Sequence, residues 1–444
     1  MHQPNPYSIE QRLLQVLQHL GLDQAHFAGR VPDDWLGLVS QHSEVITSLT
    51  LVCTRMAPPE LATLGDRLLI FTGDQSLFGE IMLRARAHLP AAHYVVLPDY
   101  AVSPWTDITK ERAIELSTAI IEFLGRKPSG KRIKPLSPTE TQGEVAGITY
   151  QIQGEGEPLL LLPLGLSPSG WEPVIDALST HVCTIRLGGA ELGIMPFLEH
   201  RVRARGYARL LHSFFDEINL QPGEQLLDVG CGSGAVSRWV AHQTNGQNPI
   251  RGVDINDYLL QEARTLARSD GLDHVVHFAP GNAEALPFPA NHFDVVIATT
   301  VLEEVDADKA LAELMRVTKP GGRIGVIVRA LDLPRTINAP LRPELKSKVE
   351  AIAETAQDEG NACASATLYR RFRHPQLTNI RGWPQPAVFD NPHGYVEKML
   401  QNMVLPQISA EEAAEYRHGV AQAIAEETFF ITWPHHCVVG VKAG

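Results

Sequence analysis

The chain is a succession of short apolar runs separated by amphipathic stretches. VITSLTLVC (45–53), RLLIFTG (67–73) and HYVVLP (93–98) are such runs, whereas LLQVLQHLGL (13–22) spaces its apolar residues three and four apart. A short apolar run bounded by turn residues reads as a strand covered on both faces, and the wider spacing reads as a helix. The rhythm resumes after a Pro-, Gly- and charge-rich stretch, KPSGKRIKPLSPTETQGE (127–144), with GITYQIQGEGEPLLLLPLG (147–165) and HVCTIRLGG (181–189). It starts afresh with EQLLDVG (224–230), PIRGVDI (249–255), VVHFAPG (275–281), FDVVIATT (293–300) and GGRIGVIV (321–328). The last segment, ETFFITWPHHCVVGVKAG, predicts two strands joined by a turn. Strands alternating with helices give an α/β class with two doubly wound, parallel sheets. The expected domains are 1–195, with an internal linker at 127–146, and 196–444.

Composition narrows the class without naming it. Of 444 residues, 44% are hydrophobic and 20% charged, enough for two sizeable cores. A net charge of −13 argues against nucleic acid as the main partner. The basic clusters at 126–134 and 201–205 are short and read as a solvated linker and a helix face. The five cysteines are scattered, with no C-x-x-C, which fits a reducing cytoplasm and opposes a structural zinc site. The acidic stretch EEVDADKALAEL (303–314) reads as a helix start and not as a metal site. The N-terminus shows no signal peptide, and no apolar run approaches the roughly 20 residues that span a bilayer.

Two strand–turn–helix passages are candidates for chemistry. LLDVGCGSGAVSRWVA (226–241) puts Gly230, Gly232 and Gly234 after an apolar strand, where backbone amides can meet an anionic group. GVDIN follows about 25 residues later and sets Asp254 at a strand end, where a carboxylate can accept both ribose hydroxyls of a nucleoside. HFAGRVPDDW (26–35) has the layout of a nucleophile elbow, but G-x-S-x-G would need serine where Val31 stands.

With its motifs in this order, 197–444 resembles a class I S-adenosylmethionine-dependent methyltransferase, close to the small-molecule enzymes related to those of quinone biosynthesis. The resemblance implies a Rossmann-like, seven-stranded sheet ending in an antiparallel hairpin made by FFITW and CVVGVKA. It implies that Asp228, Gly230, Cys231 and Gly232 line the methionine and ribose of the cofactor. Asp254 would hold the ribose hydroxyls, Ile255 the adenine face, and Asn282 and Ala283 the adenine amino edge, where the family commonly has Asp-Ala. Thr299, Thr300 and Glu303 would lie beneath the donated methyl group, and Glu304 stands where the family often has histidine. Cys231 on its own residue type reads as a space-filling thiol. Polar candidates for the acceptor side are His200, Tyr207, Tyr369, Arg371 and His436. No catalytic base is assigned.

Residues 8–195 resemble an α/β-hydrolase whose halves are exchanged in chain order, a circular permutation. The resemblance puts Val31 at the nucleophile, Asp33 at the second elbow glycine, Asp74 and Ser76 in the acid loop, and Leu164-Gly165 where His-Gly is usual. No histidine occurs from Tyr100 to Ser103, so the triad is incomplete. The implied function is methyl transfer from S-adenosylmethionine to a small organic acceptor by in-line displacement, beside a pseudoenzyme domain. That domain would cover the pocket, orient the acceptor or pair two copies as a homodimer, and its halves could also pair across subunits. The rival readings are a cofactor-binding scaffold without turnover and a bifunctional hydrolase–methyltransferase. The expected setting is cytoplasmic, without nucleic acid or membrane insertion.

Overall fold

The computed structural model describes residues 7–54, 56–103, 106–126, 133–137, 140–355, 363, 365–391 and 395–444. Linker positions 127–132 and 138–139 lie outside the described residues. The chain forms two compact units, Met1–Pro196 and Phe197–Gly444.

In the first unit the strands are β1 (Ala25–Gly29), β2 (Ile46–Val52), β3 (Leu68–Gln75), β4 (His93–Ala101), β5 (Gln142–Val145), β6 (Ile148–Gln153), β7 (Pro158–Leu161) and β8 (Cys183–Gly188). They form one sheet in the order β4-β3-β2-β1-β7-β8-β6-β5. β6 pairs antiparallel with both β5 and β8, so the all-parallel expectation is corrected at that edge. The cause is local: β5 and β6 are joined by Ala146-Gly147, both at positive φ, which makes a hairpin. Period-two alternation splits each central strand between two cores. Phe27 packs on one face with Leu49, Leu51 and Ile70, while Ala28 packs on the other with Val52, Phe71 and Leu161. Because helices cover both faces, β1 and β2 are buried along their whole length, and their few polar residues, His26, Thr47, Ser48 and Thr50, are buried with them.

The second unit contains β9 (Leu226–Val229), β10 (Ile250–Asp254), β11 (Val276–Pro280), β12 (Phe293–Thr299), β13 (Thr318–Arg329), β14 (Thr336–Ile337), β15 (Leu377–Phe389) and β16 (Ile431–Lys442). Their order is β11-β10-β9-β12-β13-β16-β14, with β15 also paired to β16. The sheet is parallel from β11 to β13, and β16 runs antiparallel to β13, β14 and β15. It therefore has eight strands where seven were expected. The C-terminal segment is one strand, not two joined by a turn. Pro434 sits inside β16 opposite Pro386 of β15, and its carbonyl accepts from Ala330 N–H at 3.0 Å, so the strand passes through the proline unbroken. Again two cores alternate: Leu226, Val295 and Ile297 face one way, and Leu227, Val296 and Ala298 the other. No described helix is long and apolar enough to cross a membrane.

Candidate active site

The ends of β9, β10 and β12 converge on the glycine turn. Gly230, Gly232 and Gly234 have φ of +69°, +54° and +71°, a region that side chains disfavour. At Gly230 space is also closed: a Cβ there would come within 2.3 Å of the Val301 side chain. Asp254 clamps the turn, its Oδ2 accepting from Gly232 N–H at 2.8 Å and its Oδ1 from Asn256 N–H at 2.9 Å. Burial raises the Asp254 carboxyl above its ordinary range, against those backbone donors. Beside it Ile255 is 58% exposed, an apolar platform open to solvent. Ala283 is buried, and the exposed Asn282 accepts from Glu284 N–H at 2.9 Å through its amide oxygen. Cys231 is buried, with Sγ 2.9 Å from where a Gly252 Cβ would stand; burial pushes its thiol well up. It fills space.

Four buried polar atoms beside this turn, Asp228 Oδ1, Glu303 Oε2, Tyr207 Oη and Arg201 Nε, have no hydrogen-bond partner, and neither does Nε of the ion-paired Arg238. Asp228 is inaccessible; its Oδ2 accepts from Ser237 Oγ–H at 2.6 Å. Burial, together with the nearby Asp254, holds its carboxyl up at about 7. Glu303 Oε1 accepts from Arg329 N–H at 3.0 Å and Arg329 Nε–H at 3.1 Å. Thr299 is buried, and Thr300, at φ +56°, donates to Thr299 O at 2.7 Å. An unpaired buried polar atom costs about 1–3 kcal/mol, a cost that a polar ligand could relieve.

Arg201 and His435 complete the group, and neither was singled out from the sequence. Arg201 is 9% exposed, donates to Thr300 Oγ1 at 3.2 Å, and lies 5.3 Å over the Phe197 ring and 4.9 Å over the Tyr207 ring. Its helix, Met195–Arg203, is tied to the glycine turn by Glu199, which accepts from Ser233 Oγ–H at 2.7 Å and Arg238 Nη2–H at 2.6 Å. His435 packs edge-on to Tyr207 at 5.7 Å. Its Nδ1–H donates to Trp433 O at 2.9 Å, and since a carbonyl only accepts, Nε2 is left as an acceptor. Burial first, and then Arg201, lowers the imidazole to about 3, so it is neutral. Trp433 in turn lies under the Arg335 guanidinium at 4.5 Å and lines a small, mainly apolar pocket with Ile337, Val349, Val396, Leu400 and Ile431.

Of the acceptor candidates, Tyr207 alone joins this group. His200 is exposed, because the adjacent Arg201 takes the inward face of the helix. Arg371 pairs with Asp308 at 2.9 Å. His436 faces the opposite side of β16 from His435; its Nδ1 lies 2.8 Å from Tyr369 Oη and its Nε2 2.7 Å from Asp332 Oδ1. Strand alternation separates neighbours that the sequence lists together. All five cysteines are unpaired and buried, and no metal-holding group of His, Cys, Asp or Glu occurs among the described residues.

The elbow passage of the first unit is sealed. Val31 has ordinary extended geometry, φ −82° and ψ 119°. The preceding Arg30 is buried and donates from Nε to Cys53 O at 3.1 Å, from Nη1 to Thr106 O at 3.1 Å, and from Nη2 to Ser103 O. Val31 Cγ2 lies 3.6 Å from where a Gly165 Cβ would stand. Asp74 accepts from Tyr100 N–H at 3.3 Å, and Ser76 donates to Val102 O at 2.6 Å.

A glycine turn at the C-terminal ends of parallel strands, with a carboxylate closing the next strand and buried polar groups beside it, is an arrangement that suits a nucleoside-bearing cofactor. A methyltransferase-domain model matches residues 227–326. The ubiquinone/menaquinone biosynthesis C-methyltransferase UbiE of Vibrio parahaemolyticus is 32% identical over 200 residues, which are 43% of this chain and 74% of that one. The enzyme of the same name from Shewanella frigidimarina is 39% identical over 108 residues, 24% of this chain and 43% of its own. Among solved structures, the YcgJ protein of Bacillus aligns with a TM-score of 0.36 at 20% identity, over 53% of this chain and 99% of its own. Geranyl diphosphate C-methyltransferase of Streptomyces coelicolor aligns with a TM-score of 0.34 at 16% identity, over 55% and 80%. The chain belongs to the S-adenosylmethionine-dependent methyltransferases, and S-adenosylmethionine is its cofactor.

Proposed function

We propose that the second unit methylates a carbon of a small, hydroxylated, largely apolar ring. The observation that carries this is the neutral His435 beside Tyr207, with Trp433 leading from it into the apolar pocket. The relatives named C-methyltransferases support the choice of carbon. The four orphaned polar atoms fit the zwitterionic end of the cofactor, and Asp254 with Ile255 fits its nucleoside. When bound, S-adenosylmethionine supplies an electrophilic methyl group on a sulfonium.

The chain's own residues position the acceptor. Nε2 of His435 accepts from a ring hydroxyl and directs electron density into the ring; held at about 3, the imidazole orients that hydroxyl without taking its proton, and the proton displaced from the methylated ring carbon passes to solvent. The apolar wall around Trp433 would set the ring, so alignment of the reacting carbon supplies most of the rate. The test uses labelled S-adenosylmethionine with 1,4-naphthohydroquinone. Label is expected on a ring carbon, stable to ether cleavage, and His435→Ala lowers kcat by about 10–100-fold. Label released by ether cleavage would replace carbon with oxygen as the acceptor, and no label on this or any extract-derived acceptor would favour the scaffold reading.

The first unit reads, in this proposal, as a permuted α/β-hydrolase domain without its triad. Counting β5–β8 before β1–β4 turns its sheet order into 1-2-4-3-5-6-7-8, with the elbow strand β1 at the centre. Contact between Val31 and the Gly165 loop, where nucleophile and oxyanion loop would meet, supports it. A chain reconnected in the unpermuted order should fold with an unchanged Tm; failure to fold would count against the permutation.

A further inference from the structure

We propose that Arg201, with Tyr207 as a second donor, is the receptor for the carboxylate of the cofactor's methionine moiety. The inference rests on the cofactor assignment and deepens it.

The argument begins from charge balance. Around the glycine turn Arg203, Arg238 and Arg329 each pair with a carboxylate: Arg203 with Glu199, Arg238 with Glu199 and Asp270, Arg329 with Glu303 and Glu304. Arg201 is buried as Arg238 is, yet its described polar partner is a single threonine hydroxyl. A buried cation without a counter-ion is costly to hold, and removal of one partner from a buried pair costs about 3–5 kcal/mol. The fold nevertheless fixes the guanidinium firmly. The Phe197 and Tyr207 rings lie against it, and Thr300, held at positive φ, takes Nη1. Its Nε–H and the neighbouring Tyr207 Oη–H are left as unpartnered buried donors. A planar fork of donors matches a carboxylate in two-point geometry.

Polarity supports the same ligand. The two other orphaned atoms are acceptors, Asp228 Oδ1 and Glu303 Oε2. The site thus offers unpartnered donors and unpartnered acceptors together, the complement of an α-amino acid zwitterion with its ammonium toward the carboxylates and its carboxylate toward Arg201. Arg201 acts through space on Asp228 and on Tyr207, which places the cation between the acidic and the phenolic groups. Arg201 is a binding residue here, with no assigned part in bond making.

Calorimetry on the full chain tests this with two probes, S-adenosylhomocysteine and 5′-methylthioadenosine, which has the same nucleoside and sulfur but no amino-acid end. Arg201→Met is expected to weaken S-adenosylhomocysteine about 10–100-fold, the value of a charge-assisted hydrogen bond, and to leave methylthioadenosine within about twofold. Arg201→Lys keeps the charge without the fork and should lose about tenfold for S-adenosylhomocysteine alone. Asp254→Ala should weaken both probes, because it acts on the shared nucleoside. Equal loss of both probes in Arg201→Met or Arg201→Lys would show a merely structural role and overturn the proposal, as would no loss of either. Should Arg201→Met fail to fold, judged by its thermal melt, the Lys variant decides. A wild-type chain that bound neither probe would instead overturn the cofactor assignment beneath it.

Discussion

The turn after β1 and the turn after β9 each carry a buried strand into a helix, and they use their polar groups in opposite ways. After β1, Arg30 spends its donors on the carbonyls of Cys53, Ser103 and Thr106, and Val31 adopts relaxed geometry. After β9, three glycines hold positive φ, and the surrounding Asp228, Glu303, Tyr207 and Arg201 keep atoms unpaired. The first turn is closed by Arg30, although the helix that follows it also leaves Asp34 Oδ2 and Trp35 Nε1 buried without a hydrogen-bond partner. The second gathers unpartnered donors and acceptors beside glycines held at positive φ, the arrangement that, in our proposal, the cofactor would complete.

Substitutions can sharpen or break this contrast. The largest effect is expected for Arg30→Met, which leaves three carbonyls without their donor; the first unit should lose about 3 kcal/mol or more in denaturant unfolding. A loss below about 1 kcal/mol would mean the seal is dispensable. Next, Gly230→Ala forces a side chain into left-handed geometry against Val301 and should weaken S-adenosylhomocysteine by about 100-fold in calorimetry, through strain of about 1–2 kcal/mol plus the clash.

A pH experiment probes the same turn. The Asp228 carboxyl is raised to about 7 by burial, against 3.8 for the ordinary group. Between those values the folded chain keeps a proton that the unfolded chain has released, so this group's contribution to stability falls as pH rises through the window. Asp228→Asn removes the dependence, so the variant should gain on the wild type by about 2 kcal/mol between pH 5 and pH 8. A parallel pair of stability profiles would contradict the burial argument. The smallest effect is expected for Val31→Ser: restoring a hydroxyl without base or oxyanion loop should give no ester hydrolysis above background, and measurable turnover would show that the elbow is less sealed than Arg30 makes it.

What the sequence disclosed depends on how local each feature is. The glycine turn and the Asp254 clamp were legible because Asp228, the three glycines and Asp254 are set by one strand–turn–helix–strand passage. Arg201 and His435 come from segments more than two hundred positions apart, and each was hidden by its neighbours. RVRAR reads as a solvated face, yet Arg201 is buried while Arg203 is exposed. In WPHHC the two histidines look equivalent until β16 points them to opposite faces. β15 went unseen because it is an edge strand: its polar side chains are largely exposed and its two prolines cost little where no neighbour needs their N–H groups. Pro434 misled in the same way, since an internal proline in an apolar run normally marks a turn.

The position of β1 in its sheet also bears on how the chain is made. β1 pairs with β2 on one side and β7 on the other, so its second edge is completed only by residues 159–161. During synthesis at about 5–20 residues per second, roughly 130 residues must follow β1 before that partner emerges, a wait on the order of ten seconds. For that interval a strand that is wholly buried in the finished sheet presents an open edge, the form in which chains pair with the wrong partner. The nascent protein therefore has a built-in period of exposure to chaperones, and slowing translation between β4 and β7 should favour aggregation over assembly.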